Sequence, residues 1–304
     1  MLVGESMNRF FHIFLLLLVL LVLVNGQQIV TASSQALILW FEKLLPSMFV
    51  GMVLIRLVAE SGLLAWLLRP LEKGFQKCFR MNVQAFSMAF LALLLGFPAS
   101  AMLCDEAVKE GRITPKGSRR LIECCHCASI SFIIVTVGGV LLHSIRLGVL
   151  LWLVQVCSVV TLLVVTRSVP CEMTATEHSV NLLRSLSRIV LNSMNTMLII
   201  AGYLMMTLSF MAIFQPFLPD ALLTILQVIA EFSSGCVQLV SIPLREFAKL
   251  ICLGMLLSFG GICVLMQILG SCEYSQCSLF RFLFMRLLQC LLSIFYTYIL
   301  FTLW

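Results

Sequence analysis

Three stretches of this chain carry residues whose chemistry stands out against an apolar background. Glu231 sits in the middle of the apolar run 222–242, about 15 Å from either end at the helical rise. A lone ionisable group at that depth costs on the order of 2.5–3.5 kcal/mol. Such a group serves as a proton or sodium site, as the polar anchor of a substrate-lining loop, or as a hydrogen-bonded pin between helices. Ser233, Ser234 and Gly235 follow it and have the composition of a short unwound stretch. Gly96-Phe97-Pro98 interrupts the run 91–103, and Ser258-Phe259-Gly260-Gly261 interrupts the run 256–267. Broken backbone at bilayer depth leaves amides and carbonyls that lipid cannot satisfy, so each break belongs inside protein or beside a wet cavity. A break in each half of a polytopic chain is the pattern of a carrier that binds its solute near the midplane. Exposed amides at a half-helix N-terminus favour an anion, with the Ser100 hydroxyl closest to the first break.

Other polar groups read as structural. Arg56 and Glu60 have the i, i+4 spacing of a helical ion pair. Arg119, Arg120 and Glu123 read as charges at the membrane surface, and Asp105 and Glu106 as solvated carboxylates. His126 reads as a satisfied polar residue at a helix start, with a proton sensor as the alternative. Cys124, Cys125, His126 and Cys127 are consecutive, which on a helix points them four ways and closes no tetrahedral site. Of the thirteen cysteines, most sit in apolar runs as small hydrophobes; Cys272 and Cys277 flank a short loop and are a candidate disulfide on an oxidising side. No nucleophile–base constellation, phosphate loop or HExxH occurs, so the chain does not read as an enzyme and calls for no metal or cofactor.

The elements that must hold these residues are membrane helices. Of 304 residues 61% are hydrophobic and 11% charged, with mean hydropathy +1.07; soluble domains carry about 25% charged residues. The reading is an all-α polytopic protein of eight to nine membrane segments, some re-entrant, in contact with the lipid bilayer. The net charge of +6 gathers in loops, which excludes a nucleic-acid surface. The segment 69–80 carries Arg69, Lys73, Lys77 and Arg80 against Glu72 and marks the cytoplasmic side. Residues 10–24 read as an uncleaved first transmembrane helix, since no small-x-small cleavage site follows. The expected organisation is an N-terminal helix (1–30), a first repeat (31–166), a polar linker (167–188) and a second repeat (189–304). Each repeat opens with a long apolar segment, 37–68 and 189–214, and later holds a broken one.

An ordered set of short motifs resembles the YlbJ (SpoVV) sporulation integral membrane proteins. Residues 40–49 resemble their early FPSLLPFF-type signature, and Gly96-Phe97-Pro98-Ala99-Ser100-Ala101 their GYPxGA. Residues 110–114 and 120–122 resemble EKGxI and RLL, 231–235 resemble E-x-[ST]-x-G, and Phe259-Gly260-Gly261 with Gln267 resembles GFGGxSVHxQ. The resemblance implies the two-repeat plan of the nucleoside-recognition "Gate" group. It also implies carriage of dipicolinate in a sporulating bacterium, in the cell membrane or the outer forespore membrane. It places Ser129 in a third break and adds Gln267 to a solute site otherwise made by Gly96, Phe97, Pro98, Ser100, Glu231, Ser233, Ser234, Gly235, Gly260 and Gly261. The partners it implies are a small anionic solute, a coupling proton or sodium ion, and a second copy of the chain. Phe97 stands where the family has Tyr, and residues 126–130 replace its Asn/Thr-Ser-Gly-Pro. The alternative reading is a non-transporting sporulation scaffold of the same fold.

Overall fold

The computed structural model describes residues 2–174 and 182–303 and is 84% helical, with no strand among the described residues. Part of the expected linker 167–188 therefore lies outside the described residues. The first helices are α1 (Leu2–Val24), α2 (Gly26–Leu39) and α3 (Leu45–Ser61), with a π-helical turn, Trp40–Leu44, between the last two. A bend of 87° separates α1 from α2. The segment expected over 37–68 is cut at Gly62, whose φ of +66° ends α3; the chain turns by 60° into α4 (Leu63–Leu68) and then α5 (Glu72–Phe79).

Next come α6 (Val83–Leu95), α7 (Ala99–Lys109), α8 (Pro115–Cys124), a π-helix (Phe132–Leu141) and α9 (Ile145–Val165). Their starts are legible locally. The Asn82 carboxamide accepts from the Ala85 amide at 3.0 Å and also holds Met173 in the loop after α9. Thr114 caps α8 by accepting from Gly117 N, with Pro115 at the first helical position. The second half comprises α10 (Leu182–Phe214), α11 (Asp220–Ala230), α12 (Phe232–Ser241), α13 (Glu246–Phe259), α14 (Gly261–Ser271) and α15 (Leu279–Leu303).

Among the described residues four helical stretches are long and apolar enough to cross a membrane: Ile145–Val165, Leu186–Phe217, Glu246–Ser271 and Leu279–Leu303. Counting each of the two bent pairs in the first 79 residues as one span raises the number to six. The chain is an integral membrane protein by this composition and length. Packing agrees with a lipid-facing exterior. On α15, Phe284, Leu287, Leu291, Phe295 and Tyr298 form an exposed apolar stripe, while Phe282, Arg286, Gln289, Ser293 and Thr297 on the opposite face are buried. Polar groups thus point into the bundle, where Arg286 and Gln289 find partners while the Ser293 and Thr297 hydroxyls find none among the described residues. Helix α15 packs on α13 and α9, α9 on the π-helix, and α10 on α2 and α3. The pairs α6/α7 and α11/α12 fold back on themselves as hairpins, whereas α13 and α14 continue as one span interrupted at Gly260.

Candidate functional site

Four interruptions of helical backbone meet in the middle of the molecule. The first is the α6/α7 hairpin tip at Gly96-Phe97-Pro98. Gly96 has φ +72°, and a Cβ there would fall 2.2 Å from Ser129 N and 2.8 Å from Ala128 C. The Phe97 amide donates to Cys127 O at 2.9 Å. The first tip therefore lies directly against the second interruption, residues 125–129, after which helix resumes at Ile130 and leads into the π-helix. Ser129 Oγ accepts from the Phe132 amide and starts the helical turn that follows.

The third interruption is Glu231 itself. The run 222–242 is two half-helices, and Glu231 joins them in extended conformation, φ −138° and ψ 118°. Its carboxylate accepts from Ser233 N at 3.0 Å, Ser233 Oγ at 2.7 Å and Ser234 N at 2.7 Å. It is the N-cap of α12 and satisfies amides that would otherwise be orphaned in the interior. The helix breaks because a carboxylate competes for the amides of its own next turn. The fourth interruption, Gly260-Gly261, packs on this tip: a Cβ on Gly261 would lie 3.1 Å from Ala230 O and 3.2 Å from Phe232 N. A Cβ on Gly260 would strike His126 Nε2 at 2.6 Å and Phe97 Cζ at 3.3 Å, so both pairs of breaks touch.

Aromatic rings seal the crossing. Phe97 stacks on His126 with centroids 4.4 Å apart and meets Phe232 edge-on at 4.9 Å; Phe132 contacts Phe232 at 5.1 Å, and Phe282 contacts His126 at 5.2 Å. His126 is 2% exposed, and its Nε2 finds no hydrogen-bond partner among the described residues, so the polar residue expected to be satisfied at a helix start keeps one ring nitrogen unpaired. The backbone freed at the second interruption is satisfied from α15, by residues the sequence reading did not single out. Arg286 donates through Nη1 to His126 O at 3.2 Å and to Gln289 Oε1, and through Nη2 to Glu123 O. Gln289 donates to His126 O at 2.8 Å and to Gln155 Oε1 at 3.2 Å; Gln155 in turn donates to Gly254 O, and Ser258 Oγ donates back to Gln155. An arginine and two glutamines inside apolar helical runs were the signal available for them.

The structure thus brings Gly96, Phe97, Ser129, Glu231, Gly260 and Gly261 to one crossing. Pro98 completes the first tip, and Ser100 is buried in the first turn of α7, its amide donating to Gly96 O. Ser233, Ser234 and Gly235 form the first turn of α12 rather than an unwound stretch. Gln267 lies farther along α14, 2% exposed, donating to Cys263 Sγ at 3.3 Å.

Other readings are corrected. Arg56 does not pair with Glu60: it reaches Glu106 on α7 at 3.0 and 3.2 Å and Thr196 on α10, while Arg188 holds Glu60 at 2.9 Å. Both charges find partners on neighbouring helices because α3 packs between them. Arg120 and Glu123 are not at the surface. Arg120 is fully buried and donates to the carbonyls of Phe79, Leu163 and Val169, closing the ends of α5 and α9. Glu123, 1% exposed, accepts from Arg281 at 2.9 Å. Asp105 is buried, accepting from Ser275 N and Oγ at 2.6 Å. Cys272 and Cys277 are free thiols, as are the other cysteines, and among the described residues no three His, Cys, Asp or Glu side chains are grouped to hold a metal.

Two adjoining cavities lie away from the crossing. One, of 820 Å³, runs between α3, α7 and α10 and is lined by Arg56, Glu106, Lys109 and Arg188 among others. The other, of 410 Å³, runs between α3, α4 and α6. No family model, no curated protein and no solved structure matches this chain.

Proposed function

We propose that this chain is a carrier of a small anionic metabolite, with dipicolinate in a sporulating cell as the solute its motifs imply. The observation that carries the reading is the crossing itself: two hairpin tips, each seated on the break of another helix, with backbone against backbone at Gly96–Ser129 and Gly261–Phe232. Irregular backbone of this kind inside a membrane protein belongs to solute and ion sites. We read the two hairpin-and-broken-helix units as two repeats, and with the short apolar helices Val83–Leu95, Phe132–Leu141 and Ala221–Ala230 the chain has eight to nine membrane segments.

An anion suits the crossing better than a cation. Helices α7 and α14 both begin there without a side-chain cap, and such N-termini carry partial positive charge. Arg286 adds a full charge, buried and hydrogen-bonded to carbonyl oxygens. Glu231 takes no part as a free base in this arrangement; its carboxylate anchors the start of α12. The aromatic seal of Phe97, His126 and Phe232 makes the described conformation a closed one, and a sealed crossing is also what a membrane scaffold would have.

Uptake of labelled dipicolinate into proteoliposomes tests the reading, with imposed proton or sodium gradients to identify the coupling ion. The intact chain accumulates solute, and Glu231→Gln lowers uptake while thermal unfolding shows the variant folded. Absence of uptake of dipicolinate and of related small carboxylates by folded, inserted protein overturns the carrier reading in favour of the scaffold.

A further inference from the structure

We infer that the helical segment Leu63–Phe79 lies along the membrane surface and gathers the headgroups of anionic lipids on a row of cations. Beyond the 60° turn at Gly62 the segment consists of α4, a 3₁₀ turn at Arg69–Leu71 and α5, about 25 Å at the helical rise. One side packs on the protein. Phe75 stacks on Phe86 with centroids 3.8 Å apart, and Phe79 leans on the same ring at 5.6 Å. A second side is apolar and exposed. Leu63, Leu67 and Leu71 recur every fourth residue at 54%, 63% and 57% exposure, and Trp66 is 71% exposed. A third side is cationic: Arg69, Lys73 and Lys77 also recur every fourth residue, and all three are exposed. None of them is in an ion pair among the described residues, and Glu72 is the segment's one acid.

Both ends of the segment lie at the level where membrane spans end. At its close, one nitrogen, Arg120 Nη2, donates to Phe79 O at 2.8 Å and to Leu163 O at 2.7 Å, and Leu163 is in the last turn of the span Ile145–Val165. Just before its start, Glu60 accepts from Arg188 at 2.9 Å, and Arg188 is in the first turn of the span Leu186–Phe217. These spans are consecutive, so Leu163 and Arg188 mark the same side of the bilayer. The 410 Å³ cavity agrees, being lined both by Gly62 and by Met173 in the loop after α9. A helix with both ends at one level runs in the membrane plane. Three unpaired cations would be costly in a helix crossing the bilayer, and a helix standing in water would expose Leu63, Trp66, Leu67 and Leu71 for nothing. Exposed leucines and tryptophan beside exposed cations, at span-end depth, fit the boundary of acyl chains and anionic headgroups.

The test is fluorescence of the full chain in phosphatidylcholine liposomes doped with acyl-brominated phosphatidylglycerol or phosphatidylcholine. The Trp66 signal is the emission lost in Trp66→Phe. Bromolipid quenches it, and the phosphatidylglycerol form reaches half-quenching at about a fifth of the mole fraction the phosphatidylcholine form needs, the worth of roughly one surface cation. Arg69→Gln, Lys73→Gln and Lys77→Gln together remove that preference while quenching persists; lysine in place of Arg69 keeps it. If the triple variant fails to fold, salt carries the test on the intact chain, because screening to a Debye length of about 3 Å removes the same preference. Equal quenching by the two bromolipids, or a preference unchanged by salt and by the triple variant, overturns the proposal. Trp66 emission quenched by aqueous iodide and untouched by bromolipid also overturns it, in favour of a water-facing surface for an acidic protein.

Discussion

Gly96 and Ser129 meet backbone to backbone, with no room between them for the single carbon that distinguishes alanine from glycine. The contact joins a hairpin tip to the interruption of a different helix, and the positive φ of Gly96 makes glycine doubly required. Gly96→Ala is expected to destabilise by about 3 kcal/mol or more, combining left-handed backbone strain with overpacking against unyielding backbone. Gly62 is the control. It has nearly the same φ, +66°, but nothing lies within 4 Å of its Cβ position, so Gly62→Ala is expected to cost only about 1 kcal/mol. Thermal unfolding in detergent with both variants side by side separates the two terms; equal costs would remove the close-approach argument.

The ion pair Arg56–Glu106 is the second expectation. Arg56 is buried and engages both carboxylate oxygens, though Glu106 is 38% exposed, which weakens the attraction through solvent screening. A double-mutant cycle over Arg56→Gln and Glu106→Gln is expected to give a coupling of about 1 kcal/mol. The cycle over Arg56 and Glu60 is expected to give close to zero, since Glu60 is held by Arg188. A larger coupling for the second cycle would restore the intrahelical pair.

What the residues disclosed in advance, and what they hid, follows from how each break is made. Gly96-Phe97-Pro98 and Gly260-Gly261 break helices through intrinsic backbone preference, which is written in residue type. The break at Glu231 is not: Ala230, Glu231 and Phe232 all tolerate helix, and the chain opens because the carboxylate captures the amides of Ser233 and Ser234. Isolated intramembrane charge drew notice to Glu231, yet its role as a cap depends on geometry that no pattern states. The interruption at 125–129 contains neither glycine nor proline, so residue type alone did not announce it. Arg56–Glu60 misled because i, i+4 spacing settles pairing on an isolated helix, whereas here neighbouring helices supply stronger partners. Arg120 and Glu123 were read as surface charges because their tertiary environment, the ends of α5 and α9 and the Arg281 side chain, is remote in sequence.

Arg286 is the third expectation. It holds carbonyls of Glu123, His126 and Ser258 from a different helix, so removing it takes the side-chain donor from Glu123 O and Ser258 O at once, while His126 O keeps the Gln289 carboxamide. Arg286→Met, which keeps length without donors, is expected to destabilise by about 3–5 kcal/mol. Arg286→Lys retains charge but not the fork and is expected to recover only part of that loss. Denaturation midpoints of the two variants check this; a neutral Arg286→Met would show that the break is held by packing alone.

Thiol accessibility is the last expectation, and it bears on motion. Cys78 is exposed on α5, whereas Cys104 and Cys127 are 1% and 0% exposed, and Cys127 lies in the second interruption with its thiol against Leu93 O. Cys171, in the loop after α9, is also buried, and that burial pushes its thiol up to about 12, which leaves little thiolate to react near neutral pH. A water-soluble maleimide is therefore expected to label Cys78 quickly, and Cys104, Cys127 and Cys171 slowly. If the crossing opens and closes as a carrier requires, Cys127 labels at a rate set by the opening equilibrium, and a solute bound at the crossing slows that rate while leaving Cys78 unchanged. Time-resolved labelling read by peptide mass gives both rates in one experiment. Cys127 labelling that stays negligible over hours, with or without solute, would mean that the two pairs of breaks do not separate, and the crossing would then be a static joint between helices.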